Sequence, residues 1–253
     1  MKRRNKKSGK HGKWLLLLLA LLVIGGLLYS WQQRSSQERQ QQQQQQPPPQ
    51  TQPQEPSKPP AGAGEQVPQS AVLQKQLQEE ERTGLVKILG LPEVTQGQMV
   101  AYIKKRNPQP KLNCTVEELV RYYYEEAGAE GVRPDLALCQ AIKETGCWAY
   151  GGDVSPEQNN YCGLGATGKK NPGSTFATPR EGVRAQIQHL LVYATKTRPK
   201  KPLVDPRYEL VIAKHPEIYG QVTTWSGLDG KWAVPGKHYG EDIQEMLERV
   251  KAL

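Results

Sequence analysis

Residues 141–168 read AIKETGCWAYGGDVSPEQNNYCGLGATG, and this stretch decides the fold. It opens as the end of an apolar helix, with Leu136, Ala137, Leu138 and Ile142 running up to Glu144. Gly146 then stops the helix, as a residue free to adopt left-handed backbone does. The chain beyond Gly146 is rich in Gly and Asn and carries no hydrophobic period. A carboxylate in the last turn of a helix faces the negative end of the helix dipole. If a pocket also removes it from water, its charged form is disfavoured twice. A carboxyl that keeps its proton near neutral pH is suited to general acid work. An ordinary surface Glu at a helix end fits the same residues equally well.

Outward from that stretch the chain reads as helices joined by loops. Thr95 is placed to cap a helix through Arg106, and Thr115-Val-Glu-Glu118 is a capping-box pattern opening a helix to about Gly128. Pro134 suits the first turn of the helix that carries Glu144. Thr178-Pro-Arg-Glu181 opens another helix to about Thr195, which makes Glu181 a capping partner rather than a catalytic group. Asp205-Pro206 starts a short helix, residues 225–236 form a Trp- and Gly-containing loop, and Tyr239 to Val250 closes the chain as a helix. No stretch alternates convincingly as a strand, so the fold class is mainly α.

Charge is unevenly spread. The formal net charge is +9, of which +7 falls in residues 1–31, none in 32–91 and +2 in 92–253. A folded part so nearly neutral has no basic stripe, which argues against nucleic acid as a partner. Residues 1–13 are a basic tail expected in the cytoplasm. The run WLLLLLALLVIGGLLYSW, residues 14–31, is uncharged and edged by Trp14, Tyr29 and Trp31. Eighteen helical residues span ~27 Å, close to the ~30 Å hydrocarbon core. The basic flank keeps the N-terminus inside and places the rest outside. A cleaved signal peptide is the rival reading, but the run is long and no A-x-A-like site comes after it. Residues 32–91, with their seven-Gln run and Pro-rich continuation, are expected to be a disordered linker with a short helix within 71–91. The folded domain is placed at 92–253, long enough for a core of its own.

Several separated motifs in order, GVRPDLALCQAIKETG, GGDVSPEQNNYCGLGATG, REGVRAQIQHLLVYA, LVDPRYELV and WSGLDGKWAVPGKHYGEDI, resemble the glucosaminidase domain of bacterial cell-wall hydrolases. That is glycoside hydrolase family seventy-three, a relative of the lysozyme-like fold. The resemblance covers roughly Val94 to Leu253. It implies a lysozyme-like helical domain that cleaves the β-1,4 bond after N-acetylglucosamine in peptidoglycan glycan strands, without a cofactor. It also implies Glu144 as the essential acid, Asn159, Asn160 and Tyr161 along the cleft, and Tyr239 reaching the active site. On this reading the protein is a single-pass protein of the bacterial cell membrane, its domain facing the wall. The residues alone leave Asn159 and Asn160 open as turn formers and Tyr239 as a core residue.

The chain departs from the family pattern at Cys147, where relatives carry a large aromatic, at Cys162, and in a short loop between Gly168 and Phe176. The last of these leaves the second carboxylate unassigned. Asp153 and Glu157 are the candidates beside Glu144, and the substrate's own N-acetyl group is the alternative. Trp148, Tyr150, Trp225 and Trp232 are candidate sugar platforms because the C–H faces of sugar rings pack on aromatics. Core packing accounts for Trp232 at least as well, and His189 reads as a satisfied histidine. The four Cys have no metal-ligand spacing, so no metal is expected. With both positions bordering the cleft in family terms, a Cys147–Cys162 disulfide is expected, with Cys114–Cys139 as a further pair. A lytic transglycosylase on the same glycan, or a non-catalytic wall-binding scaffold, are the alternative functions.

Overall fold

The computed structural model describes residues 69–168, 171–234 and 236–253. The basic tail, the apolar run 14–31 and most of the expected linker lie outside the described residues. Among the described residues no helix is long and apolar enough to cross a membrane. The described chain is mainly helical, with only isolated β-bridges between loops.

Seven α-helices are present among the described residues: α1 (Gln69–Thr83), α2 (Gln96–Arg106), α3 (Val116–Glu130), α4 (Pro134–Glu144), α5 (Pro179–Ala194), α6 (Tyr208–Lys214) and α7 (Tyr239–Lys251). The start signals behave as their chemistry requires. Thr95 and Thr115 each accept from the backbone N–H three residues on, and Gln98 and Glu118 return the bond to the cap. Each cap contributes about 1 kcal/mol. Thr178 caps α5 through Glu181 N–H, but the Glu181 carboxylate accepts from Ala177 N–H instead of closing the box on Thr178.

α4 is the central element. All nine residues from Pro134 to Ile142 are buried. α3 packs on α2, α4 and α5, while α7 packs on α4 and α2. Two glycines permit this closeness. A Cβ on Gly182 of α5 would meet the Asn159 carbonyl oxygen at 1.8 Å. One on Gly240 of α7 would meet the Trp225 carbonyl oxygen at 2.1 Å, so only glycine lets α7 start against that loop.

Residues before Pro92 also pack on the helices. Ile88 is fully buried in the main core, and Leu89 bridges to Val132. α1 is tied down by Gln76, whose side chain bonds both backbone groups of Leu91 (2.8 and 3.2 Å). Arg133 is fully buried and pairs with Glu80 of α1 (3.1 Å), Glu93 (2.5 Å) and Asp135 (3.3 Å). A buried guanidinium needs such partners, so the ion cluster locks α1 and the 84–93 strap onto the N-terminus of α4.

Candidate active site

Glu144 leaves the buried helix α4 at its last residue and opens into a cleft of about 460 Å³. The chain then turns sharply. Gly146, Cys147 and Trp148 take φ of 58°, 55° and 57°, three left-handed residues in succession. Left-handed backbone costs a non-glycine residue about 1–3 kcal/mol. The turn is held by Cys147 N–H to the Ile142 carbonyl (2.7 Å) and by the Thr145 hydroxyl, which donates to the Ala141 carbonyl (2.7 Å) and accepts from Trp148 N–H (3.0 Å). Its return is the burial of the Trp148 indole in the core.

Behind Glu144 runs a chain of buried hydrogen bonds whose direction is fixed at one end. Gln186 of α5 donates through Nε2 to the Ala137 carbonyl (2.9 Å), which can only accept, so that atom is the amide nitrogen. Its oxygen therefore accepts from the Tyr123 hydroxyl (2.6 Å), and Nε2 also donates to Gln140 Oε1 (2.8 Å). Gln140 Nε2 in turn donates to the Tyr239 hydroxyl oxygen (2.9 Å), and Tyr239 donates to Glu144 Oε1. Four helices, α3, α5, α4 and α7, each supply a member of this chain. Lys143 clamps α7 from outside by pairing with Asp242 (2.6 Å) and lying over the Tyr239 ring.

The electrostatics derive from that frame. Burial raises the Glu144 pKa above the ordinary carboxylate value, and this outweighs the Tyr239 hydrogen bond, the Lys143 charge and the Trp232 indole, which all lower it. The carboxyl remains open to the cleft while protein crowds its other sides, which is the position of a group on a pocket floor. Tyr239 is raised well above its usual value, by burial first and by the Glu144 charge next, so its hydroxyl stays a donor.

The other expected site residues divide. Asp153 and Tyr150 line the cleft with Glu144, and Asp153 is the other acid of that lining. Glu157 does not reach it. It sits exposed on the 3₁₀ turn Pro156–Gln158, and a Ser155 hydrogen bond first, then a backbone one, lower its pKa. Asn160 touches the cleft, yet its side chain is spent on Leu164 N–H (2.9 Å) and on the Leu164 and Ser174 carbonyls (3.0 and 3.1 Å). Asn159 is buried in a left-handed turn, bonded to Asn113 (2.9 Å) and the Phe176 carbonyl (3.0 Å). Both asparagines thus build the loop. Tyr161 is core, edge-on to Trp148.

Trp148 and Trp225, expected as sugar platforms, are both fully buried. Trp232 lines the cleft in their place, half-buried and propped edge-on against His189 (5.0 Å) and tilted on Tyr193 (5.5 Å). Sequence reading left Trp232 open and missed Gln140, Gln186 and Tyr123. For Gln140 and Gln186 the one signal was an amide on an otherwise apolar helix face. The expected disulfides are also absent, because all four cysteines are free. Cys147 belongs to the main core, while Cys162 packs with Leu164, Phe176 and Ala185 in a separate cluster. Among the described residues no group of His, Cys, Asp and Glu is arranged to hold a metal ion.

The chain is similar to known proteins. The family model Glucosaminidase, described as mannosyl-glycoprotein endo-beta-N-acetylglucosaminidase, matches residues 120–252, a little over half of the chain. The chain is also 37% identical over 149 residues to an uncharacterized protein of Borreliella burgdorferi, covering 59% of this chain and 69% of that one. No solved structure matches.

Proposed function

The chain belongs to the glucosaminidase family and is a glycoside hydrolase, and we propose that it cuts the β-1,4 bond after N-acetylglucosamine in peptidoglycan glycan strands with Glu144 as general acid. One observation carries the assignment of the acid. Glu144 stands at the end of a buried helix, in a 460 Å³ cleft, with its pKa raised by burial and its carboxyl held by Tyr239. A carboxyl whose pKa is raised and that opens into a cleft is suited to protonating a glycosidic leaving oxygen. The mainly helical frame accords with a lysozyme-like domain.

The rest of the cleft sorts by role. Trp232 offers an aromatic surface to a sugar ring beside Glu144. Asp153 is the candidate second carboxylate, as base or as nucleophile, and the N-acetyl group of the bound sugar is the alternative. No cofactor is needed, because protonation and attack by water or carboxylate complete the reaction. Residues 14–31 anchor the protein in the cell membrane, and the linker carries the domain outward to the wall.

Product analysis tests this reading. The purified full-length protein is expected to release glycan fragments with reducing N-acetylglucosamine ends, and Glu144→Gln is expected to release none. Anhydro-muramyl ends would identify a transglycosylase instead, and equal activity of the Gln variant would remove Glu144 from the mechanism.

A further inference from the structure

A second cavity, of about 210 Å³, is also lined by Trp232 but not by Glu144. It shares Cys162, Gly163, Ala166 and Trp232 with the catalytic cleft, so one glycan strand can reach into both. Its lining carries Arg207, Lys231 and His189 together with the Tyr193 hydroxyl and the Cys162 thiol, and no carboxylate. Among the described residues Arg207 is bonded only through its backbone, with its N–H donating to Asp205 Oδ1 (2.8 Å). Its guanidinium has no partner there.

The wall behind these cations is rigid. Asp205 is buried and uses both oxygens, one on the Arg207 N–H and the other on His189 Nδ1 (2.9 Å). A carboxylate only accepts, so His189 carries its proton on Nδ1, and its other nitrogen has no partner among the described residues. Gln188 fixes the same loop by accepting from the N–H groups of Val204 (2.8 Å) and Asp205 (3.1 Å). Lys231 is steadied by the Gly227 carbonyl (3.1 Å). Asp205 is not part of the cavity lining, whose two fixed charges, Arg207 and Lys231, are both positive.

We propose that this cavity is a specificity subsite for a carboxylate carried on the sugar beside the scissile bond, with Arg207 as the principal contact and Lys231 as its neighbour. This rests on the peptidoglycan reading of the same cleft. In such a glycan alternate sugars bear a lactyl ether ending in a carboxyl, either free or linked to a peptide that brings carboxylates of its own. An unpaired guanidinium is the side chain best matched to that group, because its fork of N–H donors meets both carboxylate oxygens. Uncharged polymers of N-acetylglucosamine offer no carboxylate to this cavity, so the subsite favours wall glycan over such polymers without touching the chemistry at Glu144.

The test compares the full-length protein with Arg207→Ala, Arg207→Lys and Lys231→Ala on three substrates: an uncharged N-acetylglucosamine oligomer, glycan strands freed of peptide, and peptide-bearing glycan. Arg207→Ala is expected to raise KM about tenfold or more on carboxylate-bearing glycan, the worth of one hydrogen bond to a charged group. It is expected to leave the uncharged oligomer unchanged, and Arg207→Lys, which keeps the charge but not the fork, is expected to fall between wild type and Arg207→Ala. A loss on peptide-free strands assigns the lactyl carboxylate, and a loss confined to peptide-bearing strands assigns the peptide. An equal loss on all three substrates, or none on any, overturns the subsite. Should the wild type cut no glycan, the peptidoglycan reading falls, and the subsite is judged by NMR titration with N-acetylmuramate against N-acetylglucosamine. Preferential binding of the carboxylate sugar that disappears in Arg207→Ala upholds it, and equal binding overturns it.

Discussion

Removing the Tyr239 hydroxyl should change the pH at which the enzyme works before it changes whether it works. The hydroxyl donates to Glu144 and accepts from Gln140 at 2.9 Å in a buried setting. In Tyr239→Phe the Glu144 carboxylate loses a hydrogen bond that favours its charged form. Such a bond is worth about 1.5–3 kcal/mol, or roughly one to two pKa units. Water entering the open cleft replaces part of it, so a rise of about one unit is expected. A general acid acts while protonated, and activity falls as pH climbs through its pKa. The alkaline limb of the pH profile of kcat/KM should therefore move up by about one unit, with acid-side activity largely kept. The fold is weakened separately, because Gln140 Nε2 is left buried without its acceptor, at a cost of about 1–3 kcal/mol. Denaturant melts read the second effect and glycan turnover between acid and alkaline pH reads the first. A limb that moves to lower pH, or an equal loss at every pH, would refute the view that Tyr239 tunes Glu144 from the side.

Four further outcomes are expected. Glu144→Gln should lose roughly 10²–10⁴-fold in turnover. Because the folded state holds the Glu144 proton more tightly than the unfolded chain, that group favours folding at acidic pH and ceases to as pH rises through its folded value; the Gln variant should thus melt higher than wild type at neutral pH and match it in acid. Trp232→Ala should weaken kcat/KM by roughly two- to tenfold with little change in melting, whereas Trp148→Ala should cost about 3–5 kcal/mol of stability. Arg133→Met strands three acids around a buried site and should cost about 3–5 kcal/mol, and a chain begun at Pro92, lacking Glu80 and Ile88, should be less stable by urea melts than one begun near Gln69. The thiols should stay silent to an exchange reagent at pH 8 until the protein is denatured, since burial raises Cys147, Cys162 and Cys139 and pushes Cys114 to about 11; a Cys147–Cys162 peptide pair in a non-reduced digest would contradict this.

What was legible in the sequence was local. A capping threonine, a proline in the first turn and a glycine after the last each act within one turn of helix, so Gln96–Arg106, Val116–Glu130 and Pro134–Glu144 emerge within about a turn of their expected ends. The site was legible where a single residue sat against its helix's grain, as Glu144 does. It failed where the outcome depended on which way a loop turns. Trp148 and Trp225 carry the same residue type as Trp232, in equally Gly-rich surroundings, and only the left-handed run after Gly146 sends Trp148 inward. The early start of the domain was hidden for a similar reason. Arg133, Glu80 and Glu93 look like surface charges one at a time, and their mutual burial is a tertiary fact.

The same contrast explains how one carboxyl is kept poised. An isolated acid at the end of a buried helix would be pushed far toward the protonated form and would release its proton poorly. Here burial pushes up while Tyr239, Lys143 and Trp232 pull down, and the net shift is upward. The strongest of those restraints is itself positioned from the core, through Gln140 and Gln186 to a backbone carbonyl of the helix that carries Glu144. Helix α4 therefore sets both ends of the chain, the anchor at Ala137 and the acid seven residues on, and α7 closes it with the Tyr239 hydroxyl. A shift of α7 relative to α4 lengthens the Tyr239 bond and releases the acid upward in pKa. The Lys143–Asp242 pair that clamps these two helices is on the outside of the same junction. Its removal by Lys143→Met takes away both the clamp and a charge that lowers the acid, and should move the alkaline limb in the same direction as Tyr239→Phe but by less, because an exposed pair contributes about 0–1 kcal/mol. A profile that moves the other way would mean that the clamp does not reach the acid through Tyr239.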